Sequence, residues 1–144
     1  MMKITIKRFD KNLPLPEYKT SGAAAFDLYA RQETTIGPKK TALVPLNIAL
    51  QIPADHWVLI VARSSLHQKG LMMPNGIGVG DFDYRGDSDE YHAVLFNFTN
   101  KAVTIKKGER IVQAIILQRE PVQFVEKTKF NTKNRGGFGS TGRH

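Results

Sequence analysis

Apolar residues along this chain come in short bursts rather than in long helical periods. Thr41–Pro45, His56–Ala62 and the runs at 23–30, 48–52, 91–98, 102–105, 110–117 and 122–125 each have the length of a strand. At 2–9, Lys3, Thr5 and Lys7 alternate with Ile4, Ile6 and Arg8, which suits an edge strand. Gly37-Pro38, Pro53-Ala54-Asp55 and Lys107-Gly108 mark turns between these runs, and 64–69 predicts a single helical turn. Many short strands with frequent turns imply an all-β sandwich or barrel in one domain.

Composition narrows the partners. The chain has 144 residues, no cysteine and a net charge of +8. Thiolate nucleophiles, disulfides and zinc–thiolate sites are therefore excluded. No long apolar run suggests a leader or a membrane span, so a cytoplasmic protein is expected. Residues 127–144 carry five Lys/Arg and no Asp or Glu, so most of the net charge lies in a tail too polar and Gly-rich to build a core. The expected organisation is a β-barrel body over 1–126 and a mobile arm over 127–144. Basicity confined to such an arm favours a small anion over a nucleic acid. A nucleic-acid barrel would also expose aromatics on a strand face, whereas Phe9, Phe26, Phe96 and Phe98 read as core.

Five polar islands interrupt the strand pattern. In the first, Asp27 stands within Gly22-Ala-Ala-Ala-Phe-Asp-Leu-Tyr-Ala30, where a carboxylate needs a partner. In the second, a strand runs into Arg63-Ser64-Ser65, which offers hydroxyls and backbone NH groups to an anion. Arg63 either adds charge there or pairs with Asp27, and the serines serve equally well as a plain helix cap. The third, 75–87, sets Asp81 and Asp83 among glycines; carboxylates at i and i+2 share one face of an extended chain. Such a group can act as a general base on water or sit in a polar hairpin. In the fourth, alternation puts Gln113 on the face of Ile111, which reads as buried. The fifth is the arm, where Gly136-Gly137-Phe138-Gly139-Ser140-Thr141-Gly142 supplies close-approach backbone, two hydroxyls and an aromatic ring, a set that suits a phosphate and a flat base.

Together the islands resemble the motifs of the trimeric deoxyuridine triphosphatase (dUTPase) family, in order and over residues 22–142. The resemblance implies a distorted jelly-roll β-barrel with a flexible C-terminal arm, a homotrimer with active sites between subunits, and hydrolysis of dUTP to dUMP and pyrophosphate with Mg²⁺. That activity would limit uracil in DNA and supply dUMP. By similarity, Asp81 is the catalytic carboxylate that activates water at the α-phosphorus. Tyr84 lies under the deoxyribose, while Asn75 and the backbone from Gly78 onward read the uracil edge. Arg63, Ser64, Ser65 and Gln113 hold phosphates; Arg135, Gly139, Ser140 and Thr141 clamp the β- and γ-phosphates; Phe138 stacks on the base. Asp27 and Asp83 organise the site, and Mg²⁺ is held mainly by substrate phosphates and water rather than by direct protein ligands. No nucleic acid and no membrane is implied as a partner.

Three departures qualify the match. Gly80 stands where the family has a large aliphatic residue, which predicts a looser hairpin. Gly86-Asp87-Ser88-Asp89-Glu90-Tyr91 adds about three residues before the next strand, an acidic insert suited to the site mouth or a subunit seam. The arm arginine is displaced, leaving Arg135 or Lys133 as the clamp. The insert also motivates an alternative: a nucleotide-binding regulator on the same scaffold, with weak catalysis. The related dCTP deaminases fit less well, because 92–98 holds no carboxylate to serve as their catalytic Glu.

Overall fold

The computed structural model describes residues 1–142 and is all-β, with no α-helix among them. Its strands are β1 (Thr5–Arg8), β2 (Phe26–Tyr29), β3 (Thr34–Ile36), β4 (Thr41–Pro45), β5 (Ile48–Gln51), β6 (His56–Ala62), β7 (Leu71–Met72), β8 (Gly78–Gly80), β9 (His92–Asn97), β10 (Val103–Ile105) and β11 (Arg110–Gln118). A single 3-10 turn, Leu66–Lys69, follows β6.

The four-stranded sheet β2-β11-β6-β8 positions the chemistry. Its spine is the antiparallel ladder from Val112↔Ala62 to Gln118↔His56. β6 is rich in aromatic and β-branched residues, which suit a pleated surface, and alternation buries Val58 and Ile60. Smaller sheets, β4-β9-β7, β1-β5 and β10-β3, complete the wall. Leu28, Ile36, Val44, Ile48, Leu71, Leu95, Ile105 and Val112 meet in one core, each contributing about 1.5–3 kcal/mol by leaving water.

Two buried side chains tie the loops to this core. Asn97 Nδ2 donates to the carbonyls of Ile36 (2.9 Å) and Lys101 (2.7 Å), while its Oδ1 accepts from the Thr99 amide (2.9 Å). Glu90 takes a two-pronged ion pair from Arg31, Nε–Oε2 at 2.7 Å and Nη2–Oε1 at 3.0 Å, and accepts from the Asn47 amide at 2.9 Å.

Several expectations are corrected. Residues 122–125 form no strand: Val122, Phe124 and Val125 are exposed and the segment has no ladder partner in this chain. Conversely β3, β7 and β8 form from two or three residues each, too short to leave a pattern. The ladder of β11 on β2 slips between Arg110 and Val112. This bulge lets Ile111 and Val112 both face the core and leaves Gln113 half-buried, not interior. Phe9, Phe26 and Phe96 are only partly covered and Phe98 is exposed. Glu90 does not belong to an acidic surface loop, since it is 5% exposed and ion-paired.

Candidate active site

One end of the four-stranded sheet gathers Asp27, Arg63, Arg110 and Gln113. Register explains the meeting: Gln113 on β11 lies opposite Asp27 on β2 and Val61 on β6. Asp27, nearly buried, pairs with two arginines, through Oδ1 to Arg63 Nε at 3.0 Å and through Oδ2 to Arg110 Nη1 at 2.9 Å. Arg63 Nη1 also donates to the Arg110 carbonyl (3.1 Å), and Gln113 Nε2 to the Ala62 carbonyl (3.1 Å). The cluster has one carboxylate for two guanidiniums, so it retains positive charge. Both arginines keep exposed surface from which to meet an anion, with side chains 28% and 38% accessible.

Ser64 and Ser65 follow directly. Ser65 occupies the cap position of the 3-10 turn but makes no side-chain cap bond, so plain capping does not account for it. Nearby, a hollow of about 270 Å³ is lined by Ala62, Arg63, Leu66, His67, Met73 and Gly76, among others. Gly76, in the left-handed region at φ +73°, brings the start of the glycine hairpin to this end; Asn75 beside it is exposed.

The hairpin then runs away along β6, with Gly78 opposite Ile60 and Gly80 opposite Val58. Side chains of β6 press on it: a Cβ on Gly78 would lie 3.1 Å from Ile60 Cβ. Asp81 follows β8 and is exposed, and the Tyr84 amide donates to its carbonyl at 3.2 Å, closing a turn. Asp83 is exposed, and Arg85 stacks on Phe82 at 4.8 Å. Tyr84 donates its hydroxyl to the Glu90 carbonyl (2.8 Å) and sets its ring edge-on to Tyr91, centroids 5.6 Å apart. Loss of solvation, then the charges of Asp89 and Glu90, push the Tyr84 phenol above its ordinary pKa, keeping it a neutral donor.

The ladder ends with Gly80 opposite Val58, about 13 Å of strand from Ala62, and Asp81 follows beyond it, so one chain does not bring Asp81 to the arginine–serine end. Arg135, Phe138, Gly139, Ser140 and Thr141 lie on an arm that is exposed at every described residue. Beyond Arg119 its hydrogen bonds are local, such as Ser140 amide to Gly137 carbonyl (3.1 Å) and Gly142 amide to Gly139 carbonyl (3.0 Å). Residues 143–144 of the expected arm lie outside the described residues.

These elements match known proteins over nearly the full chain. The dUTPase family model matches residues 11–142, spanning all five islands. The chain belongs to the dUTPase family. It is 37% identical over 149 aligned residues to the deoxyuridine 5'-triphosphate nucleotidohydrolase of Dictyoglomus turgidum, with 99% of each chain covered. The dUTPase of Streptococcus mutans superposes with a TM-score of 0.77 at 28% identity, covering 83% of this chain and 98% of that one. A dUTPase of Staphylococcus bacteriophage 80alpha, solved with dUpNHpp, shares the fold: TM-score 0.86, 20% identity, 99% and 100% coverage.

Within this dUTPase-family site, two residues carry structure that the sequence reading gave to neither. Arg110 is the second partner of Asp27; only its place in the fourth motif could have drawn attention to it. Tyr91 lies beneath the hairpin, and the only sign of it was the missing side chain at Gly80.

Proposed function

We propose that this chain is a dUTP diphosphatase that hydrolyses dUTP to dUMP and pyrophosphate. The observation that carries the reading is the family match over residues 11–142, which runs through every island. Asp81 accepts a proton from a water molecule whose oxygen bonds to the α-phosphorus; the bond to the β-phosphate's bridging oxygen breaks and pyrophosphate leaves. Phosphoryl transfer of this kind needs positioning and charge neutralisation more than covalent chemistry. Arg63, Ser64, Ser65 and Gln113 supply the cradle, with Asp27 holding Arg63 in place. Asn75 and the hairpin backbone read the base, Asp83 supports the hairpin, and Tyr84 packs under the sugar.

The reach along β6 supports a site shared between copies, in which the Asp81 hairpin of one meets the arginine–serine end of another, and the family resemblance makes the assembly a homotrimer. The arm of residues 127–144 supports a lid: Phe138 covers the base while Arg135, Gly139, Ser140 and Thr141 close on the outer phosphates. An arm that is exposed and locally hydrogen-bonded over its described residues pays its ordering entropy when substrate is present.

Mg²⁺ fits this donor set as a substrate-borne ion. Among the described residues no group of three or more His, Asp or Glu is placed to hold a metal, and Asp27 is occupied by two arginines. A magnesium ion bound through phosphate oxygens and water is compatible with that, and it would neutralise phosphate charge. No helix among the described residues is long and apolar enough to cross a membrane. The regulator alternative drew on the acidic insert, in which Glu90 is buried and ion-paired to Arg31, Asp89 accepts from the Gly86 amide (2.7 Å) and Asp87 stays exposed near Lys7.

Pyrophosphate release with Mg²⁺ from dUTP, dCTP, dTTP and UTP tests the proposal. Release is expected from dUTP, falling by about a thousandfold in Asp81→Asn while dUTP affinity stays within about tenfold. Tight binding of dUTP with no release from any substrate would overturn it in favour of the regulator.

A further inference from the structure

Gly80 was expected to loosen the hairpin, but the space above it is filled. A Cβ on Gly80 would stand 2.6 Å from Tyr91 Cε1, 2.8 Å from the Tyr91 hydroxyl and 3.0 Å from Val58 Cβ. Tyr91 is 4% exposed, and its hydroxyl has no hydrogen-bond partner. The phenol is therefore held by packing rather than by its polar atom. The same ring meets Tyr84 edge-on, at 5.6 Å and 61°. One side chain thus touches both ends of the turn that presents Asp81.

The backbone of Tyr91 is itself fixed. Its amide donates to the Ile48 carbonyl (2.9 Å) and its carbonyl accepts from the Leu46 amide (2.8 Å). The residue before it, Glu90, is locked by Arg31 and the Asn47 amide, and its carbonyl receives the Tyr84 hydroxyl. The ring is a fixed post beneath the turn.

We propose that Tyr91 is a positioning residue for the reaction, replacing from below the side chain that position 80 lacks. The missing aliphatic residue and the added segment before β9 are then a single exchange: the insert delivers the ring, and Gly80 makes room for it. This rests on Asp81 being the water-activating carboxylate. Its consequence is that the placement of Asp81 and Tyr84 depends on a residue that touches no substrate. Misplacement of a reacting group by about 1 Å can cost on the order of a hundredfold in rate.

The test is an exchange cycle in the full-length protein: Tyr91→Ala, Gly80→Val and the double variant, with Tyr91→Leu and Tyr91→Phe alongside. Circular dichroism and melting temperature identify variants that fold. Tyr91→Ala should lower kcat for dUTP about a hundredfold with KM changed by less than about threefold, because the phosphate cradle is elsewhere. Tyr91→Leu serves in its place if the alanine variant does not fold. Tyr91→Phe, which keeps the ring, should recover most of that loss. Gly80→Val should lower kcat similarly while Tyr91 is present. The double variant should regain at least tenfold over the worse single variant, the Val58 contact yielding by a few tenths of an ångström.

Wild-type kcat in Tyr91→Ala or Tyr91→Leu, or a double variant no better than its worse parent in both kcat and melting temperature, would overturn the proposal. A wild-type chain that releases no pyrophosphate overturns the functional reading instead. Failure of the exchange would then still be visible as a melting-temperature cycle with no coupling.

Discussion

The arginine–serine end of the sheet and the C-terminal arm are read from similar material, short polar motifs with glycine, yet they are built in opposite ways. At the sheet end every charged group has a partner before any ligand arrives: Asp27 holds Arg63 and Arg110, and Arg63 also reaches the Arg110 carbonyl. Among the described residues the arm is exposed and, past Arg119, hydrogen-bonded only locally. The first arrangement fixes geometry in advance and costs desolvation on folding; the second leaves ordering to the moment of binding. A site made of both can be accurate where the α-phosphorus sits and still open to release product.

Removing the arm should break this contrast most sharply. Deleting residues 134–144 should lower kcat/KM for dUTP on the order of a hundredfold or more and leave the melting temperature within a degree or so, since residues 134–142 are all exposed. Equal loss of melting temperature would show that the arm is structural. At the other end, Asp27→Ala leaves two guanidiniums uncompensated. Because both are partly exposed, a stability loss of about 2 kcal/mol is expected, measurable by urea unfolding, together with weaker dUTP binding. Unchanged stability would mean that the cluster serves only the ligand.

Beneath the hairpin, the Tyr91 phenol gives the smallest effect. Burial pushes the Tyr91 phenol up to about 12 from its ordinary 10. A folded-state pKa above the unfolded one means that the stabilisation is complete below pH 10 and is lost as pH rises toward 12. Tyr91→Phe should therefore flatten the fall in melting temperature between those pH values. An unchanged alkaline profile would show that Tyr91 does not titrate with unfolding.

Legibility in the sequence followed the length of each pattern and the reach of each contact. β4 and β6 were readable to the residue because a bounded apolar run is the whole signal. β7, two residues long, has none. Residues 122–125 have the composition of a strand, but a strand also needs a ladder, and pattern says nothing about partners. Gln113 was assigned to the wrong face because strict alternation ignores the bulge after Arg110. Among site residues, motif order brought Asp27, Arg63 and Gln113 to notice, and the pairing of Asp27 with Arg63 was one of two readings left open. Arg110 as its second partner, and Tyr91 under Gly80, depend on contacts between distant strands that no local spacing encodes.

The distance along β6 between Asp81 and Ala62 also has a genetic meaning. In the proposed assembly no chain supplies both halves of one active site. A copy with a ruined hairpin and a copy with a ruined arginine–serine end are then complementary alleles: each is null alone, yet mixed trimers contain some sites assembled entirely from sound halves. Conversely, a copy ruined at one end disables one site in three, no more than its share, whereas a copy ruined at both ends disables two, so only the double defect is partly dominant.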